Sequence, residues 1–285
     1  MRVFDPRVTP ARADLAAREL EGKVAAARYV EGRLYEVIEP QAPLRDEPRP
    51  DAPLVTEALK GERVRIFDMN AEGWAWGQLA ADSYVGWLPA NALAPPGPPP
   101  THKVAALRTL VFPGPSIKLP PIEALPLGAL LAVARVADRM SVTSAGGYVP
   151  AAHLAPVGHY ETDFVAVAER FVGAPYLWGG KTMLGLDCSG LVQVALTARG
   201  ISCPRDSDMQ EAALGVPLEH AAGLADLKRG DLIFWTGHVG IVSDPATLIH
   251  ANAFHMAVTI EPIADAVERI ANTGSDVTSV RRLAR

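Results

Sequence analysis

The sequence predicts an α+β unit over residues 160–285, preceded by two small all-β modules at residues 31–96 and 101–157. Three observations lead there. Ala94-Pro-Pro-Gly-Pro-Pro-Pro-Thr101 can be neither helix nor central strand, because proline fixes φ and removes a donor; it reads as a semi-rigid connector. Pro89-Ala-Asn-Ala-Leu-Ala-Pro95 recurs as Pro150-Ala-Ala-His-Leu-Ala-Pro156, with five identities in seven at an offset of 61. From Tyr160 onward Phe164, Ala168 and Phe171 fall at helical spacing, and after Gly230 the chain turns to strand-like runs.

The elements follow in order. Thr9-Pro10 has the form of an N-cap followed by proline at the first helical position, so residues 1–30 are expected to hold a short helix from about Pro10 to Glu21, packed on the first module. Runs such as Arg63-Val-Arg-Ile-Phe67 and Leu130-Leu-Ala-Val-Ala134 alternate with Gly, Pro and Asp turns. Each copy of the repeat follows a Tyr-Val pair, Tyr84-Val85 and Tyr148-Val149, which suits two copies of an all-β module better than a solenoid. Trp74, Trp76 and Trp87 are expected to fill so small a barrel. A weaker break lies at Ala155-Pro-Val-Gly-His159. A helix is expected from Cys188 to Arg199, stopped by Gly200 at C′. Asp231-Leu-Ile-Phe-Trp235, Val239-Gly-Ile-Val242, Leu248-Ile249 and Val258-Thr-Ile260 read as strands, and helices followed by an antiparallel sheet define an α+β unit.

Composition narrows the partners. Net charge is -5 with no long single-sign run, which speaks against nucleic acid. No apolar stretch approaches the roughly 18 residues of a bilayer span, so no membrane partner is expected. The first thirty residues hold ten charges and no secretory apolar run. Two cysteines, Cys188 and Cys203, make no disulfide framework, and a reducing cytoplasm is the expected compartment.

Asp187 suits an N-cap, which puts Cys188 at the first helical position. There the free amides and the helix dipole are expected to favour a thiolate and to offer an oxyanion site. Gly190 in the first turn is expected to leave room for a substrate backbone. A nucleophile also needs a base. His238 and His250 flank a hairpin containing Asp244-Pro245. A turn centred on Asp244 sets them opposite, whereas one centred on Pro245 makes them diagonal neighbours on one face. Thiol, imidazole and orienting imidazole would then form a triad. One cysteine and two histidines are also respectable zinc ligands, but no CxxC or HExxH spacing supports a metal, and the chemistry requires no cofactor.

Pro175-Tyr-Leu-Trp-Gly-Gly180, Asp187-Cys-Ser-Gly190, Arg229-Gly-Asp-Leu232, Gly237-His-Val-Gly-Ile241 and Leu248-Ile-His250 resemble, in order and spacing, the NlpC family of cell-wall cysteine peptidases. The resemblance covers about residues 160–285 and implies a papain-like core with its Cys-His-His triad on Cys188, His238 and His250. Length, position and Asp82-Ser-Tyr-Val-Gly-Trp87 make the paired β modules resemble bacterial SH3-like domains. Together the parts are similar to the γ-D-glutamyl-L-diamino-acid endopeptidases, which implies a murein-derived peptide, L-Ala-γ-D-Glu-diamino acid with a free amine, as the partner in peptidoglycan recycling. By the same resemblance Asp187, Tyr84 and Glu57 are the candidate groups for the substrate ammonium. Tyr176 is a candidate for the oxyanion or the substrate backbone, and Ser189 for a substrate hydrogen bond. Arg205 and Asp206 are candidates for the charges of the diamino acid or a glutamyl carboxylate. Ser207 with Gln210 reads as a capping box, Trp178 is expected to pack, and Cys203 to be a passive thiol. Rival readings are a papain-like acyltransferase or esterase, and a wall-bound hydrolase of intact peptidoglycan.

Overall fold

The computed structural model describes residues 4–137, 139–218 and 224–283. Two compact units divide the chain, residues 1–159 and 160–285.

In the first unit a seven-stranded sheet runs in the order 54–59, 41–45, 85–89, 74–79, 63–69, 33–37, 93–94 and curls around Val37, Leu44, Val64, Ile66, Leu79, Tyr84 and Leu88. Strand period decides which side chains enter. Along Trp74–Leu79, Ala75 and Leu79 point into this core, so Trp74 and Trp76 point out. The tryptophans therefore do not fill the barrel. Trp76 packs with Phe67, Leu15 and Ala17, and Trp87 lies against the same cluster. Phe67 joins them because a register shift between Ile66 and Asp68 leaves it as the extra residue of a bulge.

The segment covering those aromatics is not the expected helix. Among the described residues before Tyr29 the only helical turn is a 3-10 turn, Arg18–Leu20, and Ala16–Ala17 pairs in parallel with Tyr29–Val30. Leu15, Ala16 and Ala17 are each 0% exposed, and three consecutive buried residues cannot lie on one stripe of a surface helix. The Ala17 amide donates to Pro10 O and the Ala16 amide to Arg28 O, which satisfies the backbone without a helix. Arg12 lies over Trp76 at 4.5 Å and Trp87 at 4.9 Å, adding cation–π contact to the seam.

The repeated heptapeptide is a repeated structure. Val85–Pro89 and Tyr148–Pro150 each end in a 3-10 turn, Ala90–Ala92 and Ala151–His153, and each turn is followed by a closing strand, Leu93–Ala94 and Leu154–Pro156. The second module builds its own core from Val104, Val111, Leu125, Ala129, Leu131 and Val149.

The second unit opens with helix α1, Phe164–Glu169, and continues through α2, Cys188–Ala198, and α3, Ser207–Ala213. Strands β1 (Val216–Pro217), β2 (Leu232–Trp235), β3 (His238–Asp244), β4 (Thr247–Asn252) and β5 (Ala257–Pro262) precede helix α4, Ile263–Ala271, and strand β6, Val277–Arg282. They form one antiparallel sheet in the order β1-β6-β2-β3-β4-β5. Helix α2 packs on β3 and β4, and it stops where Gly200 takes φ +81°. Helix α4 packs Ile263 and Ala266 against Ile233, Trp235, Val242 and Leu248.

The motif Arg229-Gly-Asp-Leu232 serves as a brace at two of its residues. Arg229 grips Asp163, the N-cap of α1, at 2.9 Å and Glu169 at 2.6 Å. Asp231 is 1% exposed and accepts from Arg282 on β6 at 2.6 Å and 2.7 Å.

Candidate active site

Asp187 is the N-cap of α2, with extended backbone (φ -95°, ψ 179°), and its Oδ1 accepts the Gly190 amide at 2.7 Å. The carboxylate has more partners. Arg205 donates to Oδ1 at 2.9 Å and to Oδ2 at 2.8 Å, and the Gly179 amide donates to Oδ2 at 2.8 Å. With Ser189 Oγ at 3.3 Å from Oδ1, three donors on Oδ1 and two on Oδ2 occupy the roughly four acceptor directions of a carboxylate. Asp187 is thereby a positioning group for the start of α2.

Arg205 is held by the protein's own groups in the same way. It is 1% exposed, and beyond Asp187 it reaches Ser189 Oγ at 2.9 Å and Gly180 O at 3.2 Å. A planar fork matched to Asp187 holds the start of α2, so it is unavailable to a substrate charge. Ser189, 5% exposed, is likewise bound into this network. Asp206 rather than Ser207 is the N-cap of α3. Gln210 is 0% exposed and donates to Ser189 O and Pro204 O, both at 2.9 Å, tying α3 to the first turn of α2 instead of closing a capping box. The space beside Gly190 belongs to the protein as well: a Cβ there would meet Gly180 O at 2.3 Å. Gly190 admits the Gly180 loop, not a substrate.

Cys188 is 6% exposed. Burial, with the Asp187 charge adding, pushes its thiol up to about 12, while amides of Val239 and Ser189 and the Arg205 charge pull the other way. Burial and the neighbouring carboxylate thus work against the thiolate that the helix start was expected to favour. A general base must take this proton during the reaction. Tyr176 is partly buried and its phenol is pushed up to about 12 by burial, with Cys188 and Asp187 adding, so it keeps an O–H to donate.

The base is next in the chain to Val239, whose amide reaches the sulfur. Strand β3 begins at His238, and Ile241 pairs with Ile249 on β4. That register centres the hairpin on Pro245, so Gly240 faces His250 and His238 is its diagonal neighbour. His238 Nε2 and His250 Nδ1 are 2.8 Å apart, with ring centroids at 5.0 Å. A Cβ at Gly240 would meet Leu248 Cδ1 at 2.3 Å, so glycine there leaves room for the Leu248 side chain.

Burial lowers both imidazoles to about 3. His250 and Arg269 push His238 further down while Glu261 and Asp187 oppose; Arg269 and His255 push His250 down. The consequence for stability has a sign. Above pH 6.5 these rings are neutral in both folded and unfolded chains. Between pH 6.5 and 3 the unfolded chain takes up protons that the folded chain refuses, so stability falls with falling pH. The expected loss is on the order of 1 kcal/mol per pH unit for each ring. Asp163, held low against its burial by Arg229, adds its own loss only below the usual carboxylate range. Urea unfolding at pH 7, 6 and 5 checks this; equal stability at all three contradicts it.

Sequence reasoning missed Glu261 and Arg269. His250 Nε2 lies 2.6 Å from Glu261 Oε1, and Glu261 in turn pairs with Arg269 of α4. Leu248 pairs with Glu261 and His250 with Thr259, so the signal was the β4–β5 register, which sets Glu261 diagonal to His250.

Tyr84, 5% exposed, belongs to the core of the first β module, and Glu57, 4% exposed, accepts from Gln41 Nε2 at 3.1 Å. Trp178 is 66% exposed and does not pack as expected. Cys203 is buried and donates to Pro204 O. Among the described residues no three His, Cys, Asp or Glu side chains gather as a metal site.

A nucleophile-bearing helix, α2, laid on an antiparallel sheet whose strand β3 carries the imidazole is the arrangement of the papain-like peptidases, and the second unit is of that class. Residues 173–270 match the NlpC/P60 family model, and residues 44–93 match the model described as the bacterial dipeptidyl-peptidase Sh3 domain. The second unit therefore carries an NlpC/P60 domain, and an SH3 domain precedes it in the chain. The gamma-D-glutamyl-L-lysine dipeptidyl-peptidase of Bacillus subtilis is 29% identical over 225 residues, 70% of this chain and 73% of that protein. Dipeptidyl-peptidase 6 of Lysinibacillus sphaericus is 33% identical over 93 residues, so the chain spans only 33% of that relative's length. The crystal structure of an NlpC/P60 family protein from Bacillus cereus superposes with a TM-score of 0.73 over 89% of this chain and 100% of that one; at 19% identity it is a likeness of fold.

Proposed function

We propose that the protein is a cysteine endopeptidase that hydrolyses the γ-D-glutamyl–diamino acid bond of free murein peptides bearing an unblocked N-terminal L-Ala, in cytoplasmic peptidoglycan recycling. The observation that carries the chemistry is the His238–His250 hydrogen bond of 2.8 Å, standing next to the amide that bonds the Cys188 sulfur. In the proposed reaction Cys188 Sγ attacks the γ-carbonyl carbon while His238 takes the thiol proton. The C–N bond breaks as His238 returns that proton to the leaving amine, giving a thioester. Water, deprotonated by His238, then releases the acyl group and restores the thiol. His250 orients His238. The proton transfer supplies roughly 10²–10⁴-fold, and Tyr176 and the α2 amides are the candidate donors to the oxyanion.

The name of the Bacillus subtilis relative supports the bond and the free amine, because a dipeptidyl-peptidase counts two residues from an open terminus. Mass spectrometry of L-Ala-γ-D-Glu-meso-diaminopimelate and its N-acetylated twin after incubation tests this reading. Cleavage of the free-amine peptide alone is expected. Equal cleavage of both removes the requirement for an open amine, and cleavage of neither removes the substrate. Glu57→Gln and Tyr84→Phe, assayed on the same pair, test the two first-unit groups that the family resemblance assigns to the amine.

A further inference from the structure

His238, His250 and Glu261 lie in a diagonal row across β3, β4 and β5. Each step moves one strand over and two residues along: the β3–β4 register sets His238 opposite Asn252, two residues from His250, and Glu261 faces Leu248, two residues beyond it. The row continues off the sheet to Arg269, which pairs with Glu261 and lies over the Phe254 ring at 4.6 Å. The contacts are short and largely dry. His250 is 1% exposed, and its two ring nitrogens meet His238 at 2.8 Å and Glu261 at 2.6 Å.

We propose that Glu261 is a positioning residue that sets the tautomers of both histidines, a role that rests on His238 being the base for Cys188. A carboxylate paired with arginine is an acceptor only, so His250 must carry its proton on Nε2 and donate it to Glu261. His250 Nδ1 is then an acceptor, and the bond of 2.8 Å requires His238 to donate from Nε2. The lone pair of His238 is thereby fixed on Nδ1, the ring nitrogen nearer its own backbone and the Val239 amide that reaches the sulfur. Without an acceptor at 261, His250 can hold its proton on either nitrogen, and half of those arrangements turn the base of His238 away from the thiol.

The charged groups around the pair fit this role. Arg269 and His255 disfavour charge on His250, Arg269 also disfavours it on His238, and Glu261 and Asp187 favour it on His238. Glu261 is thus the negative group that offsets Arg269 when His238 becomes an imidazolium during turnover.

The experiment compares wild type, Glu261→Ala and Glu261→Gln by two readouts that need no peptide substrate. Iodoacetamide labelling of Cys188, followed by peptide mass mapping to separate it from Cys203, reports how well the base activates the thiol. Imidazole ¹⁵N correlation spectra at pH 7 report the tautomers. Glu261→Ala is expected to slow labelling roughly 10–100-fold and to give mixed tautomers at His238 and His250. Glu261→Gln keeps an acceptor oxygen, so it is expected to keep the Nε2–H tautomers and label at an intermediate rate. Should the alanine variant fail to fold, the glutamine variant decides: a wild-type rate with altered tautomers overturns the role. In a folded Glu261→Ala protein, wild-type labelling with unchanged tautomers overturns it as well. Failure of wild type to cleave the murein tripeptide, with these labelling differences intact, removes the substrate reading and leaves Glu261 in place.

Discussion

Cys188→Ala is expected to lower kcat/KM on the order of 10⁵-fold, because no other group takes over from a lost nucleophile and the remaining residues act only as a unit with it. The fold should survive. Cysteine packs as a small hydrophobe, so alanine at this 6%-exposed position removes one sulfur with its contacts to the Val239 and Ser189 amides, and leaves the Asp187–Arg205 cap of α2 in place. Thermal unfolding within a few degrees of wild type, together with absent turnover, is the expected pair of results. Burial pushes the thiol up, so loss of the base is expected to be damaging too: His238→Ala should lower the rate by roughly 10²–10⁴-fold. A standing thiolate would survive loss of its base far better. Turnover retained by Cys188→Ala removes the nucleophile.

The second large effect is on stability. Arg205→Ala leaves Asp187 buried without its charge partner, and breaking a buried pair in this way costs about 3–5 kcal/mol. Both oxygens of Asp187 lose a donor, Ser189 loses another, and the cap that holds Cys188 at the start of α2 loosens. Arg205→Lys should recover only part, because a point charge cannot span both oxygens. Urea unfolding of the variants measures this. A loss under 1 kcal/mol, with a raised KM and unchanged kcat, would return Arg205 to the substrate contact that the sequence suggested.

These two residues show what is readable in one dimension. The cap, the nucleophile and the histidine pair are local or near-local patterns: Asp187 before Cys188, and two histidines twelve residues apart around an Asp-Pro turn. The repeat was legible because identical residues make identical turns. Arg205 and Asp187 looked like charges awaiting a ligand, since the sequence shows them eighteen residues apart and does not show that they touch. The N-terminal helix failed for a related reason. Thr9-Pro10 is a sound local start signal, but Leu15, Ala16 and Ala17 are all buried against Phe67, Trp76 and the chain at Tyr29. Strand β6 escaped notice because Val280 is its only buried residue, so its sequence reads as polar. Glu261 was hidden by its place at the end of a half-exposed strand, where an acidic residue is ordinarily solvated.

The central claim is that Cys188 carries the acyl group of a γ-glutamyl peptide. Its most direct test is acid quenching of the protein during turnover of L-Ala-γ-D-Glu-meso-diaminopimelate, followed by intact-mass and peptide-mass measurement. The account predicts a mass increase equal to the L-Ala-γ-D-Glu acyl group, located on Cys188, labile to thiols and absent in Cys188→Ala. Turnover with no adduct in wild type and undiminished turnover in Cys188→Ala would contradict it.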